Sequence, residues 1–584
     1  MPTDPSLACS ASTIVLKLGG SVLASEGDLA KAVHECYRWS REGYRVLAVV
    51  SAIGDTTDRL VTRASAYGHA PSPSAYAALV ATGEVTSAAH LWLACDAAGL
   101  DAVALDASAI GLRVEGPTLD ATPVTVHRAR LQQALDRHAI VIVPGFVGVD
   151  ASGRQALLGR GGSDLTAIVL AHALRARCRL VKDVPGLFER DPARPGPFAR
   201  RYAAIHFDDA ERLDGAILQS KALRYAQERG FAFEVAALAA GTGTADCTVV
   251  GAERTRFAPD SDHRARRPKR RFALLGFGVV GRGVWQHLRA ERDRFEPVGV
   301  AVRTPKRHAD AIAPRVLRTD AIALAGDPDA DLVIETMGGT DLAHECVAAA
   351  LRRGADVITA NKSLVARYGA EFASLAHRHG GSLRFSAAVG GAAPCLEAVA
   401  RSASQGIVRL DGILNGTTNV MLARIASGAS FDEALSEAQA LGFAESDPSA
   451  DVDGTDAFEK ITLLARVAFG DRPHDARVNG IRSRSGSIPS TGPNTRLVAS
   501  AWLDAGRVRI EVAPRDLSPE DPLLRTHEEW NRLCIHCTDG SIVEVSGKGA
   551  GRLPTAEAVV ADAFDLWRAA ERRPASASAE VLHA

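Results

Sequence analysis

A chain of 584 residues, 46% hydrophobic and 23% charged, is long enough for about three to five compact units and ordinary in composition for globular folding. Its formal net charge of -1 provides no field to attract nucleic acid or an anionic membrane, so partners should be small molecules recognised in pockets. No run approaches the roughly 18 apolar residues needed to span a bilayer, residues 1–13 lack the pattern of a signal peptide, and nine scattered cysteines make no disulfide scaffold. The cytoplasm is the expected compartment.

Residues 13–250 alternate short apolar strands (TIVLKLGG, YRVLAVVSAIG, DAVALDA, AIVIVPGFVGV, CRLVKDVPG) with Ala/Leu-rich helical stretches. That alternation is expected of an α/β fold, a parallel or mostly parallel sheet covered by helices. No G-x-x-x-x-G-K-[ST] occurs, which excludes a simple P-loop. Instead Lys17 is followed by Leu18, Gly19, Gly20 and Ser21 after the first strand. A lysine beside glycine backbone N–H groups suits phosphoryl transfer, which depends on positioning and charge stabilisation.

Residues 251–271, with Pro259, Pro268 and a basic run from Arg264, read as a solvated linker. A second βα series follows over 272–385. GFGVVG at 276–281 (Gly276, Phe277, Gly278, Val279, Val280, Gly281) lies between a strand and a helical stretch, the context in which such glycines bring a pyrophosphate onto a helix N-terminus. The next strand ends without an acidic residue and offers Arg303, Lys306 and Arg307. This favours NADP, with NAD as the alternative. Residues 386–570 read as helices and polar loops over 410–470, strands over 496–545, and a closing helix with Thr555 as N-cap; 571–584 read as a tail. Cys534, His536 and Cys537 lack the second ligand cluster that a structural zinc site needs, and their segment reads as a hairpin around Asp539-Gly540.

The ordered segments ETMGG (335–339), TANKSLVA (359–366), GILNGTTNVML (412–422), GFAESDPSADVDGTDAFEK (442–460) and GKGAGRLPTA (547–556) resemble those of homoserine dehydrogenases. The resemblance implies a Rossmann-type NAD(P)-binding domain and an α+β catalytic and dimerisation region that returns to the nucleotide domain. It implies interconversion of aspartate 4-semialdehyde and homoserine, with Lys362, Asp456 and Lys460 as proton relay. Glu445 and Asp451 would hold the substrate amino group, and Asn415, Gly416 and Thr417 would form the substrate loop. Thr336, Lys362, Lys548 and Gly549 would join the cofactor site. One departure is Ser386, where the family usually has Glu. A monovalent cation would then rest on backbone, such as that of Val389 and Gly391.

KLGGS, VVSAIGDTTDRL (49–60), ATGEVTSAAHL (81–91), the 143–171 segment containing GRGGSD, KDVPGLFERDP (182–192) and GTGT (241–244) are similar, in order, to aspartokinases. That similarity implies a three-layer amino-acid-kinase fold over 13–250 that phosphorylates aspartate with ATP and Mg2+. Lys17 would stabilise the transferring phosphoryl group. Thr57, Glu84, Arg160, Ser163 and Asp164 would bind aspartate or organise the site, and Asp183, Gly186 and Asp191 would line the nucleotide pocket. Ile217 stands where the family usually has a lysine, and Lys182 where it has threonine; Lys182 is the expected substitute cation. The linker is too short for the paired ACT modules that separate the two enzymes in familiar fusions. The whole reads as a bifunctional homo-oligomer, or alternatively as an active dehydrogenase beside a degenerate, structural kinase domain.

Overall fold

The computed structural model describes residues 12–67, 71–192, 194, 199–213, 217–238, 246–259, 268–444, 447–470, 472, 474–481, 492–549 and 551–569. They divide essentially into one compact unit before the 260–267 stretch and another after it. No helix among them is long and apolar enough to cross a membrane.

In the first unit nine described strands form one sheet. Their order is Arg256–Phe257, Tyr202–His206, Thr248–Gly251, Phe233–Ala237, Arg177–Lys182, Thr13–Leu18, Arg45–Val50, Ile140–Pro144 and Ala102–Ala104. Pairing is parallel except where Thr248–Gly251 meets Phe233–Ala237 and at the Arg256–Phe257 edge, so the expected mostly parallel sheet is present. Its central strands are apolar along their length because helices cover both faces. The helix Gly162–Leu174 runs through the core, with Leu165, Ile168 and Leu170 fully packed. The edge strand Arg256–Phe257 falls in the stretch read as linker; Phe257 stacks on Tyr202 with ring centroids 4.7 Å apart, which ties that segment to the sheet.

The second unit holds two sheets. One is all parallel, ordered Leu317–Arg318, Phe295–Ala301, Arg270–Leu275, Leu332–Glu335, Asp356–Thr359 and Leu383–Arg384, which in chain order is the 3-2-1-4-5-6 arrangement of dinucleotide-binding folds. The other is ordered His474–Val478, Arg507–Asp516, Thr495–Asp504, Ile407–Ile413, Trp530–Cys537 and Ile542–Lys548. The helices Cys395–Ser402, Gly416–Ala426 and Thr455–Phe469 pack their apolar faces on it.

Two local expectations are corrected. Ile407–Ile413 is a central strand reaching into the stretch read as helices and loops. The closing helix is Arg552–Ala569, so Thr555 lies inside it and donates its backbone N–H to Gly551 O at 3.1 Å. Pro554 fits inside the helix because proline is tolerated in a first turn, where its missing N–H costs nothing. The Trp530–Cys537 and Ile542–Lys548 hairpin is as expected, with Cys534 and Cys537 buried as free thiols.

Candidate active sites

In the first unit, Lys17 sits near the end of Thr13–Leu18 and turns into a cleft of about 760 Å³. Gly19 leaves it room: a Cβ there would lie 2.4 Å from Lys17 Nζ. Across the cleft, Gly159 and Gly161 adopt φ of 74° and 76°, which lets the GRGGSD turn feed directly into the helix that begins at Gly162. Gly162, Ser163 and Asp164, the first residues of that helix, line the cleft, and a helix start there favours anions. Lys17 and Lys182 each lie 2.9 Å from Asp164. Burial depresses the Lys17 pKa, with Lys182 adding to the effect and Asp164 opposing it. Burial would raise the Asp164 carboxyl, but the two ammoniums outweigh it and hold it below the usual range.

Thr57, Glu84, Arg160, Ser163 and Ile217 line the same cleft. Glu84 accepts from Ala52 N at 3.4 Å; its second oxygen is buried without a hydrogen-bond partner among the described residues, and burial pushes its pKa to about 7. Gly20 and Ser21 continue the turn after Gly19. Asp183 and Asp191 are exposed, and a Cβ at Gly186 would lie 2.5 Å from Thr248 Oγ1; none of the three lines this cleft. Residues 241–244 lie outside the described residues. Tyr76, Leu119, Phe146 and Gln219 also face the cleft and were not legible beforehand, because no motif marks them.

In the second unit, Gly276 has φ 97°, where a Cβ would strike Thr336 O at 2.8 Å, and a Cβ at Gly281 would strike Gly276 O at 2.3 Å. Gly278 caps the helix Val279–Ala290 and a Cβ there meets nothing within 4 Å, which leaves space for a pyrophosphate. Thr336 Oγ1 donates to Leu275 O and Gly276 O at 3.1 Å, bracing the turn. The cleft, about 1240 Å³, is lined by Phe277, Val279, Arg303 and Arg307, and also by Arg282 and Arg552, which sequence reasoning missed. Val280 and Gly281 sit behind the turn, and Lys306 is exposed beside the cleft without lining it. Lys548 and Gly549 do not line this cleft; they close the edge strand Ile542–Lys548, with Lys548 3.3 Å from Glu529.

Lys362 opens the helix Lys362–His379 immediately beyond Asp356–Thr359. Its ammonium pairs with Asp456, whose other oxygen lies 2.9 Å from Lys460. Asp456 and Lys460 share one face of Thr455–Phe469 and are 6% and 7% exposed, so theirs is no surface ion pair. Lys460 also donates to Leu414 O at 2.7 Å. Burial works against both charges. Lys460 and Lys362 nonetheless hold the Asp456 carboxyl well below its usual range, and Asp456 holds the Lys362 pKa above the ordinary lysine value. Asn415 caps Gly416–Ala426 and donates to Asp451 at 2.6 Å and Asp456 at 2.9 Å. Burial raises the Asp451 pKa. Gly416 is needed for close approach, since a Cβ would lie 2.5 Å from Glu529 O, and Thr417 Oγ1 donates to Phe443 O at 2.7 Å. Glu445 lies outside the described residues.

Ser386 begins the short helix Ser386–Val389, and its hydroxyl donates to the buried Asp562 at 2.9 Å. Gly391, with φ 56°, packs against the Lys548 and Gly549 carbonyls. Among the described residues no group of three or more His, Cys, Asp or Glu could hold a metal ion.

Residues 12–230 match the model of the amino acid kinase family, 276–386 that of the homoserine dehydrogenase NAD-binding domain, and 394–564 that of homoserine dehydrogenase. Homoserine dehydrogenase of Synechocystis sp. is 38% identical over 315 residues, 51% of this chain and 73% of that protein. The Bacillus subtilis enzyme is 35% identical over 309 residues, 50% of this chain and 71% of that one. The crystal structure of a homoserine dehydrogenase from Thiobacillus denitrificans is 32% identical, covers 54% of this chain and 77% of its own, and superposes with a TM-score of 0.49. With one carboxylate joining two lysines beside a dinucleotide fold, and with the family models and sequence relatives that match it, the chain belongs to the homoserine dehydrogenase family and carries an amino acid kinase domain ahead of it.

Proposed function

We propose that the second unit interconverts aspartate 4-semialdehyde and L-homoserine with NADPH, and that the first phosphorylates L-aspartate on its side-chain carboxylate with ATP and Mg2+. The dehydrogenase reading is carried by Asp456, which binds Lys362 and Lys460 at once. The dinucleotide, when bound, supplies or accepts the hydride. Lys362 is the more exposed lysine, at 31% of its side chain against 9%, and is the one that delivers a proton to the carbonyl oxygen during reduction. Asp456 and Lys460 stand behind it as the relay, and Asp456 keeps it charged. Asp451, joined by Glu445, takes the substrate ammonium, and Asn415 sets the carboxylates in place. Gly276 to Gly281 receive the pyrophosphate, and Arg303 with Arg307 the 2′-phosphate.

In the kinase cleft, Arg160 grips an acceptor carboxylate through two parallel bonds, Glu84 takes the ammonium, and Lys17 with Lys182 faces the transferring phosphoryl group. Convergence of these groups in one cleft disfavours the degenerate-module alternative despite Ile217. We further infer a cytoplasmic homo-oligomer acting on small molecules, and a monovalent cation, if one binds, held by backbone near Val389 and Gly391.

Assaying both half reactions on the wild type and on Lys17→Ala and Lys460→Ala proteins tests the assignment. Each substitution should abolish one activity and spare the other. An ATP-dependent hydroxamate assay across a panel of acids tests aspartate as acceptor, and preference for another acid would overturn it.

A further inference from the structure

Glu335 closes the strand Leu332–Glu335 at the rim of the dinucleotide cleft and is 0% exposed. A buried carboxylate is costly without partners, and this one has two from different segments. Met337 N donates to Oε1 at 2.6 Å, and the Thr359 hydroxyl donates to Oε2. Met337 and Thr336 line the cleft. Thr359 faces Glu335 across the sheet, and its oxygen accepts from Asn361 N at 3.1 Å. Asn361 in turn caps the Lys362 helix by accepting from Leu364 N at 3.1 Å, and its side-chain amide donates to Gly339 O at 2.7 Å. A continuous hydrogen-bonded path therefore runs from the loop at 336–339, through one carboxylate and one hydroxyl, to the residue immediately before Lys362.

We propose that Glu335 is a positioning residue of the dehydrogenase, fixing the cofactor loop and the start of the Lys362 helix to one point so that dinucleotide and catalytic ammonium are placed together. It touches neither substrate nor reacting atoms and acts only through Met337, Thr359 and Asn361. A carboxylate suits the place because both of its oxygens accept, whereas an amide would turn a donor toward one of two donors. Burial pushes the Glu335 pKa to about 7, so the form in which both oxygens accept prevails above neutral pH.

The inference rests on the dehydrogenase reading, and the experiment separates the two. Glu335→Gln and Thr359→Val are prepared in the full chain with Thr359→Ser as the conservative partner, and with Lys362→Met as control. Dinucleotide affinity is followed by quenching of NADPH fluorescence, and kcat and KM for homoserine oxidation are measured beside kinase activity. Glu335→Gln and Thr359→Val should each weaken dinucleotide binding and lower kcat by about tenfold or more, with little change in KM for homoserine, and Thr359→Ser should restore both. Affinity and kcat within twofold of wild type in either variant, or a loss in Thr359→Val that serine does not restore, overturns the proposal. An active Lys362→Met protein would instead sink the dehydrogenase reading itself. If Glu335→Gln fails to fold, the Thr359 pair decides alone.

Discussion

Lys182 donates to Asp164 Oδ2 at 2.9 Å, while Lys17 lies 2.9 Å from the other oxygen of the same carboxylate. One aspartate thus holds two ammoniums in the cleft where Ile217 leaves a gap in positive charge. Lys182→Ala should lower kcat for phosphorylation by about 10²-fold, the scale expected for removing one stabilising donor, with little effect on acceptor KM. Lys182→Arg should recover part of the rate. Initial-rate kinetics check this, and an unimpaired alanine protein removes Lys182 from the phosphoryl site.

Asp456→Asn should be severe in both stability and activity, because it leaves two ammoniums facing a neutral amide. Breaking a buried pair in this way costs about 3–5 kcal/mol. The pH dependence has two edges. The depressed Asp456 carboxyl contributes stability that is present above its unfolded pKa of about 3.9 and lost as pH falls through the folded value. The raised Lys362 contributes stability that is full below its unfolded pKa of about 10.4 and lost as pH rises through its folded value. Denaturant titrations across pH should show both edges in the wild type and flatter ones in Asp456→Asn. Parallel curves would deny the carboxylate this role.

What could be read beforehand follows how local each signal is. Gly276, Gly278 and Gly281 were legible because a tight turn between strand and helix constrains neighbouring residues, and the close contacts at Gly276 and Gly281 are those the turn demands. Asp456 and Lys460 were legible as a helical i,i+4 pair, although only packing shows that the pair is buried and shared with Lys362. Arg282 and Arg552 went unseen because they reach the cleft from different helices, and no spacing rule connects them. The start of the final helix was misplaced because Thr555 is a good cap by residue type, while Pro554 is equally at home inside a first turn. Lys548 and Gly549, expected at the cofactor, lie at a strand end with Lys548 beside Glu529.

Arg303→Ala should change which dinucleotide is used. Arg303 and Arg307 line the cleft beyond the strand Phe295–Ala301, and among the described residues no carboxylate lines it to take a ribose hydroxyl. A charged hydrogen bond is worth about 1.5–3 kcal/mol, so KM for NADPH should rise about tenfold or more while that for NADH stays nearly constant. Equal changes for both dinucleotides would place Arg303 on the pyrophosphate or outside the site.

Glu84 makes acceptor binding pH-dependent near neutrality. Burial raises its pKa to about 7, and its second oxygen has no hydrogen-bond partner among the described residues. For stability, the neutral form's contribution is full below the unfolded pKa of about 4.3 and is lost as pH rises through the folded value. Binding runs the opposite way, since only the carboxylate attracts an ammonium. Acceptor KM should therefore fall as pH rises toward 7 and level off above it, by about tenfold per unit on the acid side. The ammonium of an amino acid stays charged throughout this range, which leaves Glu84 as the group that titrates between the two. Glu84→Gln should have a high KM that is flat from about pH 6 to 8, while kcat keeps whatever pH dependence the rest of the site imposes. A glutamine protein that retains the wild-type slope would show that the titration belongs to another group and that the amine is held elsewhere in the cleft.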